Sequence, residues 1–157
     1  MEKVELLCVG TVREPALRQL IAEYQKRLLR FCTFNIIELD EKPLVKEAPA
    51  QISRALDSEG ECILKKLDNS FNIALCVEGK KYDSVSFANL LEKVMLQNSK
   101  LKFIIGSSYG LSDAVKQKAD VRLSLSAMTF PHQLSRLILI EQIYRAYKIR
   151  ANEKYNK

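Results

Sequence analysis

Short apolar runs alternate with longer stretches of helical period along this 157-residue chain, and that alternation restricts the fold more than any other feature. KVELLCV at 3–9 alternates, turns fully apolar and stops at Gly10, as a buried strand does. Pro15 opens a helix over 15–31, where Leu17, Leu20, Ile21, Tyr24 and Leu28 keep helical spacing and Arg18, Lys26, Arg27 and Arg30 fall elsewhere on the surface. Further strands are expected at 33–39, 71–77, 101–105 and 121–125, and further helices at 50–67 and 86–97, with a short one capped by Ser112. Gly60 is a weak point within the second helix, and Glu78-Gly79 should stop the third strand. Strands separated by helices need crossovers. The expected fold is therefore α/β, a mostly parallel sheet covered by helices on both faces. Length and 47% apolar content fit one domain over 1–157.

Composition excludes several classes. No stretch approaches the roughly 18–20 apolar residues needed to cross a bilayer, and MEKVELLCVG lacks the basic start and long apolar run of an export signal, so a cytoplasmic protein with no membrane partner is expected. Cys8, Cys32, Cys62 and Cys76 are far apart and sit mostly among apolar neighbours, without the close pairs of zinc or redox motifs. They read as buried free thiols, with no metal. The formal net charge is +6, and 133–157 alone holds Arg136, Arg145, Lys148, Arg150, Lys154 and Lys157 against Glu141 and Glu153, a net of +4. Such a segment suits a polyanionic partner, although a solvated helix face would carry the same charges.

Two segments could hold a ligand. FIIGSSYG at 103–110 is a buried strand delivering a glycine turn at its carboxyl end, where open α/β sheets bind ligands. It lacks the GxGxxG and GK[ST] spacings, which disfavours a dehydrogenase or a P-loop nucleotidase. In the second, Ser126, Ala127 and Thr129 leave backbone amides and carbonyls accessible to an adenine edge, while Leu125, Met128 and Phe130 offer apolar walls. Pro131 then starts a helix whose first turn holds His132, the only histidine, able there to donate or accept a hydrogen bond. Packing or capping is the alternative role for it. Behind it Leu134, Leu137, Ile138, Leu139, Ile140, Ile143, Tyr144 and Tyr147 leave little of the helix polar, so burial on more than one side, economically by a partner subunit, is expected.

Read together, residues 123–150 contain SxMTFPHQxxRxxLIEQxYRAxKI, which resembles the ribosomal RNA large subunit methyltransferase H family of the SPOUT, or α/β-knot, methyltransferases. The likeness extends from KVELLCVG through EYQKRL and SEGECIL to the tail. It implies a C-terminal trefoil knot, which no pattern could reveal. It also implies a homodimer that uses S-adenosylmethionine to methylate N3 of a pseudouridine in large-subunit (23S) ribosomal RNA, on assembled ribosomes. Under this resemblance Leu75, Gly106, Leu125, Ser126, Ala127, Met128, Thr129 and Phe130 bind the cofactor. His132 and Arg136 are the catalytic candidates, and Arg145, Lys148, Arg150, Lys154, Tyr155 and Lys157 the RNA-binding ones.

Methyl transfer from a sulfonium asks mainly for alignment, and the target N3 must shed a proton, so a base or a stabilising cation is needed nearby. Arg136 lies one turn beyond His132 on the same helix face. Three positions depart from the family pattern: Ser107 replaces the second glycine of the turn, Cys76 stands where an acidic residue is usual, and Asn156 removes a histidine from the tail. These leave open a non-catalytic RNA- or ribosome-binding protein retaining the fold. A small-molecule enzyme of the doubly wound class, with an incidental basic helix, is the other alternative.

Overall fold

The computed structural model describes residues 1–157. Five strands and five helices follow one another as β1 (Lys3–Val9), α1 (Pro15–Leu28), β2 (Thr33–Leu39), α2 (Pro49–Leu64), β3 (Phe71–Lys81), α3 (Ser84–Gln97), β4 (Lys100–Ile105), α4 (Asp113–Lys118), β5 (Val121–Ser124) and α5 (His132–Arg150). The strands form one sheet in the order β2-β1-β4-β3-β5, and every neighbouring pair is parallel. All five carboxyl ends therefore lie along one edge.

Alternation within each strand builds two cores. Val4, Leu6 and Cys8 of β1, with Leu101, Phe103 and Ile105 of β4, join the larger core with residues of α1, α3 and α5. Leu7, Val9 and Ile104 point the other way, into a smaller core with Ile63 of α2 and Val115 of α4. Period-2 patterning with both faces apolar is what a parallel sheet covered on both sides requires. Gly60, a weak point by helix propensity, sits where α2 meets α4: a Cβ there would come 2.4 Å from Ser112 Oγ, so the close approach of the two helices depends on its absence.

α5 lies across the larger core, against both α1 and α3. Leu139, Ile140, Ile143 and Ala146 are fully buried, while Leu134, Leu137, Ile138 and Tyr144 remain half-buried. The apolar circumference is thus largely covered by the chain itself: Leu137 and Tyr144 still pack against the larger core, and of these four only Leu134 and Ile138 stand outside it. The tail folds back on this helix: Tyr155 meets Tyr144 edge to face at 5.1 Å and its hydroxyl donates to Glu141 at 3.1 Å. No helix is long and apolar enough to cross a membrane.

The structure adjusts several expected boundaries. α1 and α2 end about one turn early, at Leu28 and Leu64, and β5 ends at Ser124. Glu78-Gly79 does not stop β3. Leu75 and Lys80 both pair with Leu123, so the intervening residues bulge out of the ladder before the strand resumes. This bulge pushes 76–78 toward the carboxyl edge of the sheet, where they line a cavity.

Candidate active site

Three adjacent strand ends open on one cavity of about 280 Å³, just under the usual range for small-molecule sites. The bulge of β3 contributes Leu75, Cys76, Val77 and Glu78; β4 contributes Ile105 and the turn from Gly106 to Leu111. Ser124, Leu125, Ser126, Met128, Thr129 and Phe130 close it from the β5 side, with His132 and Ser135 from the first turn of α5. Of the expected cofactor residues all but Ala127, which is exposed, line this cavity.

The glycine turn explains itself by space. A Cβ on Gly106 would fall 2.0 Å from the carbonyl oxygen of Gly110, so only glycine allows the turn to close this tightly. Gly110 itself adopts φ +89°, the left-handed region that glycine enters at no steric cost. Ser107 has no positive φ, and its carbonyl accepts from the Gly110 amide at 2.9 Å. The departure from glycine there is therefore unstrained. Across the cavity the 124–130 loop is braced by its own hydroxyls: Ser124 Oγ donates to the Ser126 carbonyl at 3.0 Å, and the Met128 amide donates to Ser126 Oγ at 3.0 Å.

Polar groups stand at the rim. Lys116 reaches from α4 to Glu78 at 2.6 Å and holds the Glu78 carboxyl below its ordinary value. Cys76 is half-buried, and burial pushes its thiol above the ordinary value, so this position presents a neutral S–H. Tyr109 is raised first by a hydrogen bond with Glu47. Ser124, Glu78 and Lys116 also line the cavity, outside the two segments whose sequence pointed to a ligand. Glu78 was within reach, since it precedes a glycine at a strand end; Lys116 was not, because only the fold brings α4 there.

The catalytic candidates separate. His132 reaches the cavity and also a neighbouring cleft shared with Gly10, Glu41 and Gln133. Arg136 is only 2% exposed and does not line the cavity. It turns toward the end of β2 and the β1–α1 turn, where Nη1 pairs with Glu38 of β2 at 2.8 Å and Nη2 donates to the Gly10 carbonyl at 3.1 Å. Both side chains thus adjoin Gly10, but only His132 also reaches the cavity.

Most of the RNA-binding candidates are engaged internally. Arg145 pairs with Glu141 at 2.8 Å and lies 4.8 Å over the Tyr155 ring, Lys148 pairs with Glu153, and Arg150 pairs with Glu2 at 2.7 Å. Lys154 and Lys157 are exposed and belong to no ion pair.

Comparison with known proteins identifies the family. Residues 2–156 match the family described as predicted SPOUT methyltransferases. A curated relative from Streptococcus equi subsp. zooepidemicus, named ribosomal RNA large subunit methyltransferase H, is 46% identical, with 99% of each chain covered. A probable methyltransferase structure from Bordetella pertussis superposes with a TM-score of 0.62 at 14% identity, covering 93% of this chain and 96% of that one. A methyltransferase from Legionella pneumophila, solved with bound cofactor SAM, superposes with a TM-score of 0.55 at 12% identity, covering 92% of this chain and 66% of that one. Both structures carry the fold alone. With the family model matched nearly end to end and a relative at this identity over its full length, the chain belongs to the SPOUT methyltransferases and, within them, to the ribosomal RNA large subunit methyltransferase H family, whose α/β-knot fold it shares.

Proposed function

We propose that this chain, acting as one domain over 1–157 and as a cytoplasmic homodimer, transfers a methyl group from S-adenosylmethionine to N3 of a pseudouridine in large-subunit (23S) ribosomal RNA on assembled ribosomes. The observation that carries the reading is the convergence of three parallel strand ends and the start of α5 on one cavity, walled by Leu75, Ile105, Leu125 and Phe130 and floored by a glycine turn. The residues fit the cofactor. Apolar walls suit an adenine, backbone groups of the 124–130 loop suit its edge, and Glu78 and Lys116 offer an acceptor and a cation for its hydroxyl and carboxylate ends.

When bound, the sulfonium supplies an already activated methyl. The chain's work is then alignment and proton handling. His132 stands between the cavity and the cleft beside Gly10, so it is placed to accept the N3 proton of a base entering from that side. Arg136 is a positioning residue: by holding the Gly10 carbonyl and Glu38 it fixes the β1–α1 turn beside His132. The half-buried Leu134 and Ile138 of α5, which pack into neither core, support a second copy packing there. Calorimetry with S-adenosylmethionine, followed by transfer of labelled methyl to purified ribosomes, tests the reading. Binding with label in large-subunit RNA is expected, and a folded protein that binds no cofactor would overturn it.

A further inference from the structure

The cations of the C-terminal helix and those beside α1 differ in what they touch. Arg145, Lys148 and Arg150 are each matched by a carboxylate of the same chain. Arg13 and Arg18, in contrast, are exposed and belong to no ion pair. They line a groove of about 700 Å³ beside α1, together with Thr11, Gln25, Glu38 and Arg136. The only carboxylate lining the groove, Glu38, is already engaged by Arg136 at 2.8 Å. Arg136 is 2% exposed, and its Nε is buried without a hydrogen-bond partner.

We propose that this groove is the docking track for RNA phosphodiesters flanking the methylated nucleotide, with Arg13 and Arg18 as the phosphate contacts and Arg136 behind them. The proposal rests on the ribosomal RNA methyltransferase reading above and relocates its backbone contacts. A phosphate needs donors of the kinds gathered here: guanidinium N–H groups, the Thr11 hydroxyl and the Gln25 amide. The location also fits. The Arg13 amide donates to Gln133 Oε1 at 3.0 Å, which ties the groove to the first turn of α5. Arg13 lines the cleft that contains His132 and the one that reaches Ser107 and Tyr109 of the glycine turn, so it stands where three depressions meet. The cleft beside His132 carries Glu38, Asp40 and Glu41, which would repel phosphate; a neutral base suits it, and the backbone is directed to the arginine side.

The test compares wild-type protein, the double variant Arg13→Gln/Arg18→Gln, and a charge-matched control, Lys93→Gln/Lys118→Gln, whose side chains are exposed on α3 and α4. Binding to purified ribosomes is measured by co-sedimentation as salt rises from roughly 50 to roughly 200 mM. Each lost phosphate contact should flatten the log–log salt slope by about 0.7, so the double variant should lose about 1.4, and its affinity should fall about sevenfold less than that of wild type over this range. The control should keep the wild-type slope. S-adenosylmethionine affinity should be unchanged in all three proteins, and its absence from wild type would count against the enzyme reading and not against the groove. A double variant with the wild-type slope overturns the proposal, as does a slope lost equally by the control. A changed oligomeric state with unchanged ribosome binding would assign the groove to a protein contact and also overturn it.

Discussion

Arg136→Ala separates a structural arginine from a purely catalytic one. In the structure the guanidinium is 2% exposed, held by the Gly10 carbonyl and by Glu38, whose own side chain is 42% exposed. Because Glu38 can rehydrate, loss of the ion pair itself should cost well under 1 kcal/mol after screening. Two other losses are bigger. Deleting most of a large buried side chain leaves a cavity, and comparable truncations cost about 2–5 kcal/mol. The Gly10 carbonyl also loses a charged donor, for roughly 1–3 kcal/mol if it stays dry. Partial collapse and water entry reduce both losses together, so a net loss of about 3 kcal/mol is expected. For a domain of this size that corresponds to a fall in midpoint of about 6–12 °C. The assay is thermal unfolding of wild type, Arg136→Ala and Arg136→Met, with the methionine variant recovering part of the loss because it refills the volume. An alanine variant melting within a degree or two of wild type while methylation collapses would contradict the positioning role and restore Arg136 to the chemistry.

Further expectations follow from other contacts. Gly106→Ala places a methyl against the Gly110 carbonyl, so the turn must open; cofactor affinity measured by calorimetry should drop by at least about tenfold. Ile138→Lys should shift wild-type light scattering from dimer to monomer and leave the fold intact, whereas Ile140→Lys, at a fully buried position, should unfold the chain. The Asp68 carboxyl is held well below the usual carboxylate range, chiefly by its hydrogen bond from Lys100. Its contribution to stability is therefore present above the ordinary aspartate value and lost as pH falls through the depressed one, and Asp68→Asn should flatten the acid limb of an unfolding-midpoint curve.

What was legible in the sequence was local. Alternation in KVELLCV and the apolar run before Gly106 placed the strands, and a parallel sheet follows from helices between them. The turn at 106–110 and the loop at 125–130 were recognisable because their residue types restrict backbone space, and both proved to line one cavity. The behaviour of the cations was not legible. Arg136 meets Glu38 across 98 residues and Arg150 meets Glu2 across 148, so their charges vanish into partners that no window of sequence contains. Arg13 and Arg18, which stay free, gave no local sign of it beside an expected turn and on an expected helix surface. The bulge in β3 was hidden for a similar reason: Glu78-Gly79 looks like a stop until β5 offers Lys80 a place to resume pairing.

Whether the cavity at the joined ends of β3, β4 and β5 serves methyl transfer to a pseudouridine is decided by mass mapping of large-subunit RNA. Ribosomes lacking the modification are incubated with the purified protein and S-adenosylmethionine, digested, and read nucleotide by nucleotide. One added methyl is expected, on N3 of one pseudouridine, absent when Gly106→Ala replaces the wild-type protein. Large-subunit RNA left unchanged by a folded, cofactor-binding protein would contradict the proposed reaction, as would a methyl found on another base.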